Sequence, residues 1–459
     1  MNCRQSYRRY LNQSEMENST HGNLLLWGGI ECTINRVGDH YYDQLSASGH
    51  YKRETDIDNI ASLGIKALRY PVLWEKHQPD TTRTIDWSWI TRQFEKIRSY
   101  NITPIAGLLH HGSGPRFTDL LDEQFPKKLA AYADKVARQF PWLEYYTPVN
   151  EPLTTARFSG LYGHWYPHKC NDVVFANMLL NQVKGIVLAM HAIRIVNPSA
   201  KLVQTEDLSK TYSTKLLQYQ ADFENNRRWL TYDLLTGKLL PGHPMWDYFL
   251  RLGIPPAQLY FFAENSCPPD IAGVNYYVTS ERYIDHRSRK YPPTTHGSND
   301  IHHYADVEAV RVQLKEPSGF SVLAREFWNR YNLPVAITEA HLGCSVDEQL
   351  RWFDEIWHSA NDLANGGVNI IAVTAWALLG SYGWNKLLTQ GLDHYESGVF
   401  RLEHNRLNGT ELSNMITTLA AGGDYANPLL AEKGWWKKTT RLFHPPAARK
   451  NKMRITAAV

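Results

Sequence analysis

Two glutamates in this chain of 459 residues each follow a short apolar run. Glu151 lies in the sequence VNEP and Glu339 in the sequence ITEA. Cleavage of a glycosidic bond needs two carboxyl groups beside one oxygen atom: one is protonated and donates to the leaving group, and the other is ionised and attacks or stabilises the anomeric carbon. A single glutamate in such a place is weak evidence, because such residues also form salt bridges, so it is the pair that indicates this chemistry.

The neighbours of Glu151 fit the same chemistry. Pro152 disfavours a right-handed helical backbone at Glu151 and so restricts where that side chain points. Asn150 offers amide donors and an acceptor to a sugar hydroxyl. The alternative for Asn150 is a turn cap at the end of a strand.

Eight short apolar runs supply the elements that must position these residues. They are rich in β-formers, almost continuously apolar, and separated by helical patterns, as expected of parallel strands buried on both faces. This order predicts a (β/α)8 TIM barrel, a single domain with long loops after strands 4 to 6. A doubly wound sheet is the rival, but the chain lacks a glycine-rich phosphate-binding sequence. The runs cover residues 24–30, 65–72, 103–110, 145–152, 200–207, 269–277, 333–340 and 370–378.

Active sites of such barrels lie at the carboxyl ends of the strands. Strands 4 and 7 stand on opposite sides of the barrel mouth, so the carboxyl groups of Glu151 and Glu339 can converge across it. For Glu206 and Asp207 we expect a loop salt bridge or a cap. The residues at the strand ends are Glu31, Arg69, His110, Asn150, Glu151, Glu206, Asp207, Asn275, Tyr277, Glu339 and Trp376.

His110 and His111 could suggest a pair of metal ligands. Adjacent strand residues point to opposite faces, so we expect that the two side chains do not share one ion. We therefore predict neither a metal nor any other cofactor.

Composition excludes several classes of protein. The net charge of +3 is too small for a general nucleic-acid-binding surface. The chain has no apolar stretch of the roughly 18 residues that would predict a membrane span. Five scattered cysteines without a C-x-x-C sequence indicate neither a disulfide framework nor a zinc site, and favour a cytoplasmic location. Aromatic residues make up 12% of the chain, which suits stacking on sugar rings or a tryptophan-rich core.

The chain is predicted to have three parts. Residues 1–22 form a polar N-terminal arm without the apolar core of a signal peptide, residues 23–442 form the barrel, and residues 443–459 form a basic C-terminal tail. The tail is either a solvated end or a contact for an anionic surface or partner. The sequence leaves the oligomeric state open.

From about Leu24 to Leu402 the sequence resembles glycoside hydrolase family 1, the retaining β-glycosidases. The pair formed by TPVNEP and ITE, in this order, is the specific part of the resemblance. The other matching sequences are WGGIECTIN at 27–35, RYPVLW at 69–74, GLLHH at 107–111, GVNYY at 273–277 and WALLGSYGW at 376–384.

The resemblance implies a retaining exo-β-glycosidase, similar to β-glucosidases, that acts on a small β-glycoside by hydrolysis or transglycosylation. It makes Glu151 the general acid and then the base, and Glu339 the nucleophile. It implies that Arg69 lowers the pKa of Glu339 and that Tyr277 holds this carboxylate by a hydrogen bond. The residues that it places against the sugar are Asn35, His110, Asn150, Asn275, Trp376 and Trp384.

The sequence also departs from the family pattern. Gly383 stands where the family has a glutamate that binds sugar hydroxyls, and Asn35 is shorter than the family's glutamine. These changes keep a second hypothesis open, a non-hydrolytic carbohydrate-binding protein on a glycosidase barrel. The pattern is also similar to a divergent bacterial branch whose glycosidase-like domains are fused to sugar-nucleotide reductases. Further departures are His111 and Gly112 for Trp-Asp, and Ala340 and His341 for Asn-Gly.

Overall fold

Eight parallel strands close into a barrel in the computed structural model of the protein, which describes residues 24–81 and 84–442. Each strand pairs with its neighbours in the chain, and the eighth pairs with the first. Each predicted run contains one strand, so the (β/α)8 prediction is confirmed. The strands are β1 (Leu25–Gly29), β2 (Ala67–Pro71), β3 (Thr103–Gly107), β4 (Tyr145–Thr147), β5 (Lys201–Asp207), β6 (Ile271–Tyr276), β7 (Val335–Ala340) and β8 (Ile370–Ala375).

Helices connect the strands and cover the outside of the barrel. The helix Ser88–Ser99 buries Ile90, Phe94 and Ile97, as the sequence pattern predicts. The α-helices of the described residues are Gln44–Ala47, Asp56–Ser62, Trp74–His77, Ser88–Ser99, Phe125–Gln139, Pro152–Ala156, Asp172–Val196, Gln218–Arg227, Leu230–Leu235, Trp246–Arg251, Pro256–Glu264, Phe320–Tyr331, Val346–Asn365 and Glu411–Ala420.

One helix of the described chain, Asp172–Val196, is long and apolar enough to cross a membrane by length and composition alone. Its most apolar window has a mean hydropathy of 1.6, and 67% of that window is buried inside the protein. It packs along the helix Phe125–Gln139. Burial of this extent is typical of a core helix in a barrel.

The inside of the barrel has an apolar half and a polar half. Near the strand starts, Trp27, Ile105, Tyr145, Val203 and Ile371 form one buried apolar cluster with small neighbours. At the carboxyl ends the inward side chains are polar and equally buried. The barrel therefore presents a buried apolar floor below a polar mouth.

The long loops that follow β5 and β6 build a small sheet beside the mouth. Its strands are Lys210–Ser213, Glu281–Asp285, His296–Ser298 and His303–Glu308. Two-stranded ribbons lie at Ile34–Val37 with His40–Asp43, at Ser381–Tyr382 with Tyr395–Glu396, and at Phe400–Glu403 with Arg406–Gly409. The predicted arm, residues 1–22, and the predicted tail, residues 443–459, lie outside the described residues.

Candidate active site

Glu339 is buried near the end of β7 and is held from two sides. Arg69 on β2 donates from Nη1 to its Oε1 at 2.9 Å, and the Tyr277 hydroxyl, just after β6, donates to its Oε2. The register between β7 and β6 shifts between Ile337 and Glu339. Such an irregularity re-aims a side chain, and here Thr338 and Glu339 both contact residues of the mouth.

Glu151 is buried beyond the end of β4, and its backbone is left-handed, with φ 45° and ψ 62°. Few side chains adopt this conformation, which costs on the order of 1 kcal/mol and concentrates at functional sites. The next residue, Pro152, begins a helix, and the Glu151 N–H donates to the carbonyl of Thr205 on β5 at 3.2 Å. These contacts fix where the carboxyl group points.

Asn275 on β6 lies between the two glutamates. Its Nδ2 donates to Glu151 Oε1 at 2.5 Å, and its side chain also helps to lower the pKa of Glu339. Its Oδ1 accepts from the Thr338 hydroxyl at 2.6 Å, which fixes the orientation of the amide. The structure therefore brings both carboxyl groups to the two sides of one asparagine.

The two carboxyl groups have different electrostatic surroundings. Burial raises the pKa of Glu151 well above its usual range, and the negative charges of Glu339, Glu206 and Asp207 raise it further. Burial also raises the pKa of Glu339, but Arg69 and Tyr277 act against it. Arg69 thus lowers this pKa as predicted, while burial keeps it above the ordinary value. The arrangement favours a protonated Glu151 beside an ionised Glu339.

Asn150 is held with both ends of its amide engaged. Its Oδ1 accepts from Arg69 Nη2 and from the Thr205 hydroxyl, both at 2.7 Å. Its Nδ2 lies 3.3 Å from His110 Nε2 and 3.4 Å from His111 Nε2. An isolated bridge between His110 and Asn150 extends the pairing of β3 and β4 up to this point.

The expectation that His110 and His111 point to opposite faces is wrong. The strand β3 ends at Gly107, and His111 has a positive φ of 53°, so strand alternation no longer applies. The two rings lie 5.0 Å apart, and His111 Nε2 is 3.6 Å from Glu151 Oε2. Burial lowers the pKa of His111 to about 3, and that of His110 also falls, so both imidazoles are neutral. The described residues include no group of three or more ligands suited to a metal.

Trp376 forms an apolar wall of the mouth. The His110 ring stacks parallel to it, with 5.8 Å between centroids and 8° between planes, and the Arg69 guanidinium lies 4.9 Å from its centre. A Cβ at Gly29 would lie 2.5 Å from Trp376 Cε3, so this approach requires glycine. Trp384 packs edge-on against His111 at 5.8 Å. Both tryptophans thus lie beside the histidines at the mouth.

Asn35 has one end of its amide bound by the protein itself and the other end free of a protein partner among the described residues. It is fully buried, and its Nδ2 donates to the carbonyl of Leu388 at 3.1 Å, so the protein itself uses this donor. Its Oδ1 has no hydrogen-bond partner among the described residues. At Gly383 φ is 71°, and a Cβ would lie 2.9 Å from the carbonyl oxygen of Gly391, which leaves no space for a side chain.

The rule that site residues lie at the carboxyl ends of strands also selects Glu206, which is not among the predicted site residues. Glu206 caps the helix that follows Glu151: its carboxylate accepts from Leu153 N at 2.9 Å and from the Thr231 hydroxyl at 2.7 Å. This is the cap predicted for Glu206. The hydroxyls of Thr205 and Thr338, which orient the two site asparagines, give no distinct signal in the sequence.

A (β/α)8 barrel with paired carboxyl groups at its C-terminal mouth is the architecture of barrel glycoside hydrolases. The model of glycosyl hydrolase family 1 matches residues 30–398. The chain therefore belongs to glycosyl hydrolase family 1.

Curated relatives and solved structures agree with this family. Beta-glucosidase 1 of Oryza sativa subsp. japonica is 20% identical over 180 residues, 37% of this chain and 34% of that protein. Beta-glucosidase 44 of Arabidopsis thaliana is 20% identical over 158 residues, 32% of this chain and 30% of that protein. These matches span about a third of each relative.

Two solved structures share the fold over most of their length. The family 1 β-glucosidase from Thermotoga maritima has a TM-score of 0.68 at 16% identity, and the match covers 88% of this chain and 99% of that one. The β-glucosidase from the same organism in complex with glucoimidazole has a TM-score of 0.69 at 16% identity, with 87% and 98% covered.

Proposed function

We propose that this protein is a retaining exo-β-glycosidase, similar to β-glucosidases, with Glu339 as nucleophile and Glu151 as acid and base. The contrast between the two carboxyl groups carries the proposal. Glu339 is paired with a cation and a phenol, whereas Glu151 lies near other carboxylates and beside the neutral imidazole of His111. Such a contrast is what a mechanism with one ionised and one protonated carboxyl group needs.

The reaction follows from these two states. A Glu339 oxygen attacks the anomeric carbon and forms an ester, the bond to the aglycone oxygen breaks, and that oxygen takes the proton of Glu151. Water then attacks the same carbon, its proton passes to Glu151, and the ester bond to Glu339 breaks. An alcohol in place of water gives transglycosylation. The β-glucosidases among the relatives, and the glucoimidazole in one neighbour, support a glucose-like donor sugar.

The test is a panel of p-nitrophenyl β-glycosides, followed by proton NMR of the first product. We expect release of p-nitrophenol, with the β-anomer of the free sugar forming before mutarotation. The α-anomer as first product would show inversion and would contradict the proposal. Sugar binding measured by calorimetry, without any turnover, would favour the second hypothesis, a non-hydrolytic carbohydrate-binding protein. Two observations support that hypothesis: the Asn35 amide is bound by the protein itself, and position 383 has no side chain.

Removal of the Tyr277 hydroxyl should move the acidic side of the pH profile. Glu339 must be ionised to attack, so kcat/KM falls as the pH decreases through the pKa of this residue. The Tyr277 hydroxyl lowers that pKa, so Tyr277→Phe raises it. We expect the acidic limb of kcat/KM to move to higher pH by about one unit, the effect of a hydrogen bond to a charged group.

The neighbouring tyrosine is the matched control for this prediction. Tyr276 donates to Glu281 at 2.7 Å and stacks on Trp352 in the core, away from Glu339. Tyr276→Phe should leave the acidic limb in place. An active Tyr277→Phe variant with an unmoved limb would show that the Tyr277 hydroxyl does not stabilise the ionised Glu339.

A further inference from the structure

Glu31 is a buried carboxyl group that takes no part in the proposed reaction. It lies two residues beyond the end of β1, is 5% exposed, and accepts from the Thr33 N–H at 2.9 Å through Oε1. No basic side chain of the described residues forms an ion pair with it. Burial raises its pKa to about 7, and the charge of Glu339 raises it further. A buried carboxyl group without a counter-charge is costly, so it suggests a function.

The surroundings of Glu31 place it at the mouth of the barrel. Glu339 is close enough for its negative charge to raise the pKa of Glu31. The Trp384 indole is close enough to lower the pKa of Glu31. Trp384 Nε1 is nonetheless buried and makes no close hydrogen bond within the described part of the chain. The Glu31 carboxyl group can accept a hydrogen bond, and Trp384 Nε1 can donate one. These two groups thus form one wall of the mouth, beside the candidate nucleophile Glu339.

A second free polar atom adjoins this wall. The loop that carries Trp384 returns through Leu388, whose N–H donates to Gly383 O at 3.1 Å and whose carbonyl binds Asn35. This leaves Asn35 Oδ1 buried and without a partner among the described residues. Position 383 cannot supply a polar group, because it has neither a side chain nor space for one.

We propose that Glu31 is a specificity-determining residue that binds hydroxyl groups of the donor sugar, together with Trp384 Nε1 and Asn35 Oδ1. A sugar hydroxyl between Trp384 and Glu31 accepts from the indole and donates to the carboxylate. A neighbouring hydroxyl donates to the other carboxylate oxygen or to the Asn35 oxygen. The ligand is therefore a sugar that presents two adjacent hydroxyl groups to the β1 side of the mouth. This inference rests on the proposed glycosidase function.

Kinetics of Glu31→Gln on deoxy substrates test the proposal. On the parent p-nitrophenyl β-glycoside we expect a loss in kcat/KM of about 10- to 100-fold, the range for a hydrogen bond to a charged group. One monodeoxy glycoside lacks the hydroxyl that lies between Trp384 and Glu31. On that substrate the same substitution should lower kcat/KM by less than about threefold. An equal loss on every substrate, or no loss on any, would overturn the proposal.

Glu75 offers a matched control. It is also a buried carboxyl, with a pKa raised to about 8 by burial, but its Oε1 accepts from the Gly114 N–H at 3.1 Å, and neither Glu31 nor Trp384 acts on its pKa. Glu75→Gln should change all substrates alike and by little. Melting temperatures of both variants report whether they are folded.

A crystal structure of the unaltered protein soaked with glucoimidazole decides the same question without a substitution. A Glu31 oxygen within about 3 Å of a ring hydroxyl supports the proposal, and a carboxyl group that touches no hydroxyl overturns it. If the protein hydrolyses no aryl glycoside, the proposed function is wrong. The soaked crystal structure still tests whether Glu31 binds sugar hydroxyls.

Discussion

Glu339→Gly will abolish hydrolysis of every β-glycoside, with a loss in kcat on the order of 10⁴-fold or more. The variant lacks the oxygen that attacks the anomeric carbon, and no other carboxylate of the described residues occupies the site between Arg69 and Tyr277. The cavity left by the side chain admits a small anion. Azide should therefore attack from that side and give an α-glycosyl azide, which NMR identifies by its anomeric coupling.

The rescue is also the control for folding. Removal of Glu339 leaves the buried Arg69 without its carboxylate, which costs stability, so an inactive variant could simply be unfolded. A variant that makes α-glycosyl azide must be folded and must bind the sugar. A β-glycosyl azide from Glu339→Gly, or hydrolysis close to that of the unaltered protein, would refute the nucleophile assignment.

Glu151→Ala will show a loss that depends on the leaving group. A dinitrophenolate leaves without protonation, so formation of the glycosyl-enzyme should be nearly unchanged and the intermediate should accumulate. An alkyl glycoside needs the proton, and its kcat/KM should fall by about 10²- to 10⁴-fold. Azide should then attack the intermediate and yield a β-glycosyl azide, the opposite anomer from the Glu339 variant.

The measurement is a comparison of aryl and alkyl glycosides in the same variant, with mass spectrometry of the trapped intermediate. A loss of the same size for all leaving groups would show that Glu151 is not the acid. Two variants that both lose activity on the dinitrophenyl substrate, without rescue by azide, would overturn both assignments.

Much of the fold and of the catalytic pair is predictable from the sequence, because local patterns determine them. Strands buried on both faces must be apolar throughout, so the runs stand out, and the carboxyl ends of parallel strands meet at one mouth. The same rule brings Arg69 to Glu339 across 270 positions of sequence. The resemblance selects Tyr277 over Tyr276, and the structure places these two tyrosines at the mouth and in the core respectively.

Details that depend on loop conformation were not predictable. His111 faces Asn150 because its backbone adopts a positive φ after β3 has ended, and no strand pattern indicates this. The Asn35 amide binds Leu388, which lies 353 positions away on a loop whose path the sequence does not reveal. The proposed role of Glu31 likewise depends on Trp384, a residue of the loop after the last strand of the barrel that lies close to Glu31 in the structure.

The apolar floor below the mouth has a consequence for the evolution of this protein. Trp27, Ile105 and Val203 belong to a buried apolar cluster that includes neither Glu151 nor Glu339, so the residues that pack the floor and the residues of the candidate catalytic pair are separate sets. Changes at the mouth, such as those at Gly383 and Asn35, can therefore accumulate while the barrel persists. This separation makes the mouth the region to randomise in a search for new sugar preferences.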